Sequence, residues 1–369
     1  MKEPIRVLQI VSNLSVGSGI LSLVYNWHRR VDTDKVQFDY LYCMESAVTR
    51  KREIEQLGGQ CYQLSHPIHH PWRFVCESYR FFKTHHYHTI HSHVTHLNLF
   101  FYPLAKWFGT KNILQHAHAS RWGFSFISNV RNYLMLHAVW PLLTHKIACS
   151  PETGDIYYGK DFTVINNGIE IEKFAYDPNV RSVMRKELGI ENNFVIGHVG
   201  RFSTEKNHKF LIDVFGEIIK LQPTAKLILV GDGPLRSQIE QLAQEKNLQG
   251  KVCCLGSRKD VAQLYQTFDC FVLPSLHEGM PVVGIEAQTA GLPCVFSDTI
   301  TRGVLLLPQS CMCSLKATSL QWAEKILSFQ NMTRADGALW VREKGFDIRQ
   351  TAKEMGKIYL RCSGQEKSV

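Results

Sequence analysis

Cys270-Phe271-Val272-Leu273-Pro274-Ser275-Leu276-His277-Glu278-Gly279-Met280-Pro281-Val282-Val283-Gly284-Ile285-Glu286 is the stretch that decides the fold. The apolar run Cys270–Pro274 reads as a buried parallel strand. Pro281 suits the first turn of a helix, where its missing N–H costs nothing. Gly291 ends that helix and Pro293 blocks its continuation. Glu278 therefore lies in the loop at the carboxyl end of a strand, and Glu286 projects from the helix behind it. Open α/β sheets bind ligands at that end, where free N–H groups attract anions. Two carboxylates beside those donors can accept hydrogen bonds from several hydroxyls. The implied ligand carries phosphates and many hydroxyls, as a nucleotide-sugar does. A solvated helix face bearing two acids is the competing reading, and the flanking Gly-Met-Pro argues against it.

Alternating strands and helices extend in both directions from this stretch. Arg6–Val11 reads as a first strand running into a glycine-bearing turn, Ser12–Gly19. Further strands are expected at Val36–Tyr42, Gln60–Leu64, Thr89–His93, Asn112–His118 and Lys146–Ser150. Helices are expected at Ile54–Gly58, Trp72–Thr84, Leu97–Phe108 and Val130–Thr144. Thr163–Ile169 leads into a polar, Pro-containing stretch that reads as a domain crossing. A second alternating set follows: strands at Phe194–Gly200, Ala225–Gly231, Lys251–Gly256, Cys270–Leu273 and Cys294–Ser297, with a helix at Asn207–Leu221. Such alternation means a doubly wound parallel sheet, here twice. The division is into residues 1–165, joined by a C-terminal crossover segment 346–369, and residues 166–345. A ligand cleft is expected between the two Rossmann-like halves.

At 369 residues, two domains are the prior. The formal net charge of +9 suits nucleic acid, an anionic membrane face or phosphorylated ligands. The densest basic cluster, Arg50-Lys51-Arg52, is too short for a nucleic-acid arm, so no nucleic-acid partner is expected. No apolar stretch is long enough to span a bilayer, and Ile5–Val11 is too short and polar for a signal peptide. The expected location is cytoplasmic, with peripheral contact at the inner face of the plasma membrane. The eleven cysteines are scattered, and Cys311-Met312-Cys313 lacks a second pair at zinc spacing. The His-rich segment His85-His86-Tyr87-His88 reads as a connector, since metal sites need convergent geometry rather than abundance.

Four blocks, standing in order, make the second half similar to the family 4 retaining glycosyltransferases of the GT-B fold. They are Asn167-Gly168-Ile169-Glu170, Gly200-Arg201-Phe202-Ser203-Thr204-Glu205-Lys206-Asn207, Gly231-Asp232-Gly233-Pro234-Leu235 and Glu278–Glu286. The likeness is strongest over residues 147–298. It implies a GT-B protein that moves a sugar from a nucleotide-sugar, with UDP the expected nucleotide, to a saccharide. A lipid-diphosphate-linked oligosaccharide in bacterial capsule or exopolysaccharide assembly is the expected acceptor. It implies that Glu278 meets donor-sugar hydroxyls, that Glu286 holds the ribose, and that the backbone of Gly279, Met280 and Pro281 faces sugar and phosphate. Arg201 and Lys206 can neutralise the leaving diphosphate, where charge develops in the transition state. No cofactor and no metal are implied, because cationic side chains and helix dipoles take the metal's place.

In the N-terminal half the resemblance is looser. Gly17 and Gly19 stand where the family has a glycine loop near the diphosphate, but Gly19-Ile20-Leu21 lacks the family's acid. His118 ends a strand at the position of the family's cleft histidine, with His116 the alternative register. A neutral imidazole there could hydrogen-bond a sugar hydroxyl or shuttle a proton. The Glu that relatives carry near Gly303 is absent. Three other readings compete. One is a GT-B nucleotide-sugar epimerase. A second is an NAD-linked dehydrogenase, with Asp39 as its ribose-binding acid. The third is a non-catalytic assembly partner that keeps the fold.

Overall fold

The computed structural model describes residues 3–118 and 126–365; the end of the expected crossover segment, 366–369, lies outside them. The chain forms two compact units, Met1–Gly168 with Ile348–Val369, and Ile169–Asp347.

The first unit holds seven strands: β1 (Ile5–Ile10), β2 (Val36–Tyr42), β3 (Cys61–Gln63), β4 (Thr89–Ser92), β5 (Asn112–Ala117), β6 (His145–Ala148) and β7 (Thr163–Val164). They form one parallel sheet in the order β3-β2-β1-β4-β5-β6-β7. A parallel sheet is covered on both faces, so its strands are buried on both sides. All seven residues of β2 are buried. Successive side chains serve opposite faces. Leu8 joins a cluster with Phe74, Phe82, Phe101 and Tyr102, and Val7 joins one with Val24, Trp27, Phe38, Met355 and Tyr359.

That second cluster depends on the C-terminal helix Ile348–Cys362. Its buried positions, Ile348, Thr351, Ala352, Met355 and Tyr359, recur at helical spacing along one stripe. Gly168 lets the helix start close to the chain: a Cβ there would lie 2.5 Å from Thr351 Oγ1 and 2.8 Å from Ile348 Cα. A packing requirement therefore explains the glycine of the Asn-Gly-Ile element.

The second unit holds β8 (Val195–Val199), β9 (Lys226–Val230), β10 (Val252–Cys254), β11 (Cys270–Leu273), β12 (Cys294–Ser297) and β13 (Cys311–Cys313). All pair in parallel, in the order β10-β9-β8-β11-β12-β13. Strand order reverses between β8 and β11, as it does between β1 and β4. Gly231, after β9, has φ +138°, and a Cβ there would fall 2.0 Å from the Gly200 carbonyl oxygen. The Gly-x-Gly-Pro turn thus lets the loop after β9 press against the loop after β8.

Three expectations change. The helix placed at Val130–Thr144 runs from Phe126 to Val139 and passes into a 3₁₀ turn at Trp140–Leu142. Pro141 has no N–H to continue the ladder. The polar stretch after the crossing contains a helix, Pro178–Glu187, capped by the Asp177 side chain with Pro178 in its first turn. The strand β13 was not anticipated at all.

Met355 is fully buried, so Met355→Ala is expected to lower stability by roughly 2–5 kcal/mol, read as a shifted denaturant midpoint. Ile358, on the helix's half-buried side, should cost less than half as much on the same change. Equal losses would show that the helix does not pack as described.

Candidate active site

Adjacent connections that leave a sheet in opposite directions open a crevice at the carboxyl ends of the two strands. In the second unit those strands are β8 and β11, and their loops carry Arg201, Lys206 and Glu278. The loops are tied together by backbone. Leu276 N–H donates to the Glu205 carbonyl at 2.7 Å, and Asn207 Nδ2 donates to the Pro274 carbonyl at 3.2 Å. Asn207 adopts the left-handed conformation, φ 55°, which Asn tolerates well. It turns the chain from the short Thr204–Lys206 3₁₀ turn into the helix His208–Leu221.

This geometry brings Lys206 onto Glu278, with Nζ to Oε1 at 2.5 Å. Their side chains are only 17% and 19% exposed, so the pair is largely withdrawn from water. Ser275 Oγ donates to the same carboxylate oxygen at 3.1 Å. Arg201 stands exposed at the mouth of the loop. Glu205 is held below the usual carboxylate range by Ser203 and its own backbone, with the charges of His277 and Arg201 adding to that. Two cations, Arg201 and Lys206, and two carboxylates, Glu205 and Glu278, thus stand on the loops after β8 and β11.

Glu286 lies on the helix Val282–Thr289, which begins beyond Met280 and Pro281. Its Oε2 accepts a hydrogen bond from the Tyr265 hydroxyl at 3.0 Å, and the same hydroxyl reaches the Val283 carbonyl at 3.1 Å. Burial pushes the Glu286 carboxyl up to about 7, offset in part by the Tyr265 bond and the Lys173 charge. Tyr265 and Ser275 carry no motif, and only tertiary packing reveals them.

In the first unit, Gly17 and Gly19 follow β1. Ser18 caps the helix Gly19–His28 by accepting from Leu21 N–H at 3.3 Å. A Cβ on Gly19 would meet no protein atom within 4 Å. His118 follows β5 and is half-buried, whereas His116, within β5, is buried. Burial pushes His118 down to about 4, with a hydrogen bond between it and Asn167 acting the other way. At any pH near neutrality it is an uncharged imidazole.

Among the described residues one group could gather three metal ligands, His91, His93 and His116, with one ligand atom from each within 4.8 Å of the others. Both His93 nitrogens are already hydrogen-bonded, to His118 and Gln9. The His91 and His116 rings lie 14° from parallel with centroids 5.4 Å apart. The lone pair that a metal would need on His93 is already taken up by a hydrogen bond. Asp39, the acid of the dehydrogenase reading, is fully buried. It accepts from Arg6 at 2.7 and 2.5 Å, from Gln60 N–H at 2.7 Å and from Tyr87 at 2.9 Å. It is a structural anchor with no capacity left for a ribose.

Residues 180–305 match the family described as "Glycosyl transferases group 1". The chain is 32% identical over 363 residues to EpsF of Bacillus subtilis (strain 168), described as a glycosyltransferase, covering 95% of this chain and 92% of that one. It is 31% identical over 236 residues, 60% of each chain, to the UDP-Gal:alpha-D-GlcNAc-diphosphoundecaprenol alpha-1,3-galactosyltransferase of Escherichia coli. The crystal structure of Anabaena HepE with UDP-glucose superposes with a TM-score of 0.78 at 20% identity, covering 96% of this chain and 99% of that one. None of these matches favours an epimerase or a dehydrogenase. With a family match across the β8 and β11 loops and a relative aligned along nearly its whole length, the chain belongs to the group 1 glycosyltransferases and has their GT-B fold.

Proposed function

We propose that this glycosyltransferase moves a hexosyl group from a UDP-sugar to a lipid-diphosphate-linked saccharide, with retention of the anomeric configuration. The reading rests on the paired Lys206 and Glu278 at the β8/β11 strand ends, with Glu286 one helix behind. Without donor, Lys206 and Glu278 satisfy each other. With donor, Lys206 and Arg201 turn to the diphosphate, and Glu278 accepts from sugar hydroxyls beside the backbone of Gly279 and Met280. Glu286 accepts from the two ribose hydroxyls. By resemblance to the family, Gly17 and Gly19 are assigned to the diphosphate and the neutral His118 to a sugar hydroxyl. The charge that stabilises the leaving group then comes from the protein, so no metal is required. The E. coli relative, named for a UDP-sugar donor and a diphosphoundecaprenol-linked acceptor, supports both substrate classes.

A lipid-linked acceptor requires a membrane-facing surface. Residues 78–151 contain no Asp or Glu. In the first unit the neighbouring helices Pro71–Thr84, Asn98–Trp107 and Phe126–Val139 leave Trp72 (83%), Trp107 (84%) and Ile127 (79%) exposed. Arg80, Lys83, Lys106, Lys111 and Arg131 are exposed on or beside the same helices. Aromatic rings seat at the headgroup level, and each cation near an anionic surface contributes about 1 kcal/mol. No helix among the described residues is long and apolar enough to cross a membrane, so the contact is peripheral. Vesicles containing phosphatidylglycerol should pull the protein down at low salt and release it at high salt. Trp72→Ala with Lys83→Glu and Lys106→Glu should abolish sedimentation; equal binding to neutral vesicles would exclude an electrostatic contact.

Product analysis by NMR, after incubation with a panel of UDP-sugars and an undecaprenyl-diphosphate saccharide, tests the reaction. An inverted anomeric centre would overturn the reading. Arg201→Ala and Lys206→Ala should each lower turnover at least about tenfold in the folded protein, and a chelator should leave activity intact. Normal turnover in both variants would make these residues mere surface charges.

Glu286 must be ionised to accept from both ribose hydroxyls. Its carboxyl is raised to about 7, so UDP affinity should be full above that pH and should weaken as pH falls through it. Glu286→Gln should lose this pH dependence, and Glu286→Ala should weaken UDP binding by roughly 1.5–3 kcal/mol in calorimetry. Unchanged affinity in both variants would remove Glu286 from the nucleotide site.

A further inference from the structure

Four histidines, two neutral polar side chains and one helix meet inside the first unit. His91 lies in β4 and His93 just beyond it; Gln9 lies in β1, in register with His91. Tyr359 comes from the helix Ile348–Cys362. Gln9, His91 and Tyr359 are fully buried, and His93 is nearly so. A continuous chain of hydrogen bonds joins them. His118 Nε2 lies 2.9 Å from His93 Nδ1, and His93 Nε2 lies 3.0 Å from Gln9 Oε1. Gln9 Nε2 lies 3.0 Å from the Tyr359 hydroxyl, which is 2.6 Å from His91 Nδ1.

The chemistry of these groups makes the chain directional. Burial drives His91 and His93 well below the usual histidine range, so each ring is neutral and holds one proton. The Gln9 carbonyl can only accept, so His93 carries its proton on Nε2 and its Nδ1 is bare. His118 must then donate from Nε2, which leaves His118 Nδ1 as an acceptor. At the other end the Gln9 amide donates to the Tyr359 oxygen, which turns the Tyr359 O–H toward His91 Nδ1. Reversing the Gln9 amide would reverse every link. The chain therefore transmits a single choice from end to end.

We propose that Tyr359, Gln9 and His93 are positioning residues that fix the tautomer of His118, so that the C-terminal helix sets the proton location on a ring more than two hundred residues earlier in the chain. Trp27 stacks on two of the rings, while His93 tilts 43° away from it. The Trp27 ring lies within 12° of parallel to His91 and within 20° to His116, and its Nε1 is anchored to Thr351 of the same helix at 3.0 Å. The tautomer assignment stands on the hydrogen-bond chain between buried, neutral rings; its effect on turnover rests on the reading of His118 as a sugar-contacting residue.

Long-range ¹⁵N–¹H spectra of the histidine-labelled full chain report the tautomer of each ring directly. In the unaltered protein His93 and His118 should each show one neutral form, protonated on Nε2. Tyr359→Phe removes one oxygen and keeps the ring, and Gln9→Met cuts the chain at its centre while keeping the length of the side chain. Both should convert His118 to a mixture of tautomers, and turnover should fall roughly tenfold with the donor KM unchanged. A His118 protonated on Nδ1, or a His118 tautomer unmoved by both variants, would overturn the proposal. A shifted tautomer with unchanged turnover would support the positioning chain and would remove His118 from the reaction, which separates the two claims.

Discussion

The reversal of strand order between β8 and β11 is the constraint on which the site of the second unit depends. Right-handed crossovers carry the connection after β8 to one side and that after β11 to the other. Their loops diverge at the carboxyl ends, the place where open α/β sheets bind ligands. Everything placed there is held from behind. The Gly231 turn presses on Gly200, Asn207 locks the start of the next helix, and Leu276 N–H ties one loop to the other at the Glu205 carbonyl. Backbone geometry thus places Lys206 within reach of Glu278. An ion pair of this kind gains little stability once desolvation is counted. In the proposed reaction the two opposite charges turn to the donor.

The two units treat ionisable groups differently. In the second, Lys206 and Glu278 meet as an ion pair where the loops after β8 and β11 adjoin. In the first, histidines are gathered where burial keeps them neutral, and their order comes from hydrogen-bond direction. The first arrangement suits the binding of a charged leaving group. The second suits recognition of a hydroxyl, for which the position of a single proton decides between donor and acceptor.

The fold was readable because parallel strands buried on both faces spell continuous apolar runs, as Cys270–Leu273 does, with Gly and Pro marking their ends. The Glu278–Glu286 block was readable for the same reason: strand, glycine and proline fix where both acids lie along the chain. The helix Pro178–Glu187 looked like a connector because its buried contact is polar. Arg185 reaches the Thr267 carbonyl at 2.8 Å and Asp269 at 3.1 Å, an anchor that leaves no apolar period. The strand β13 has three residues, too few for any alternation to show. The partners Tyr265 and Ser275 were invisible because no local pattern links them to the acids they touch. The histidine chain was visible only as two His-x-His pairs at strand ends. Gln9 and Tyr359, which join it, lie 350 residues apart.

The helix Ile348–Cys362 has a consequence for how the protein is made. The face of the first sheet that buries Val7, Trp27 and Phe38 is closed by Met355 and Tyr359, which leave the ribosome after the whole second unit. Until then that face of the early half is covered only in part, by the helix Gly19–His28, while Ile169–Asp347 already contains every strand of its own sheet. Synthesis order and folding order are therefore inverted: the domain begun first is finished last. A chain that ended before the final helix would have every strand of its second unit and would leave part of the first unit's apolar face exposed, which favours aggregation.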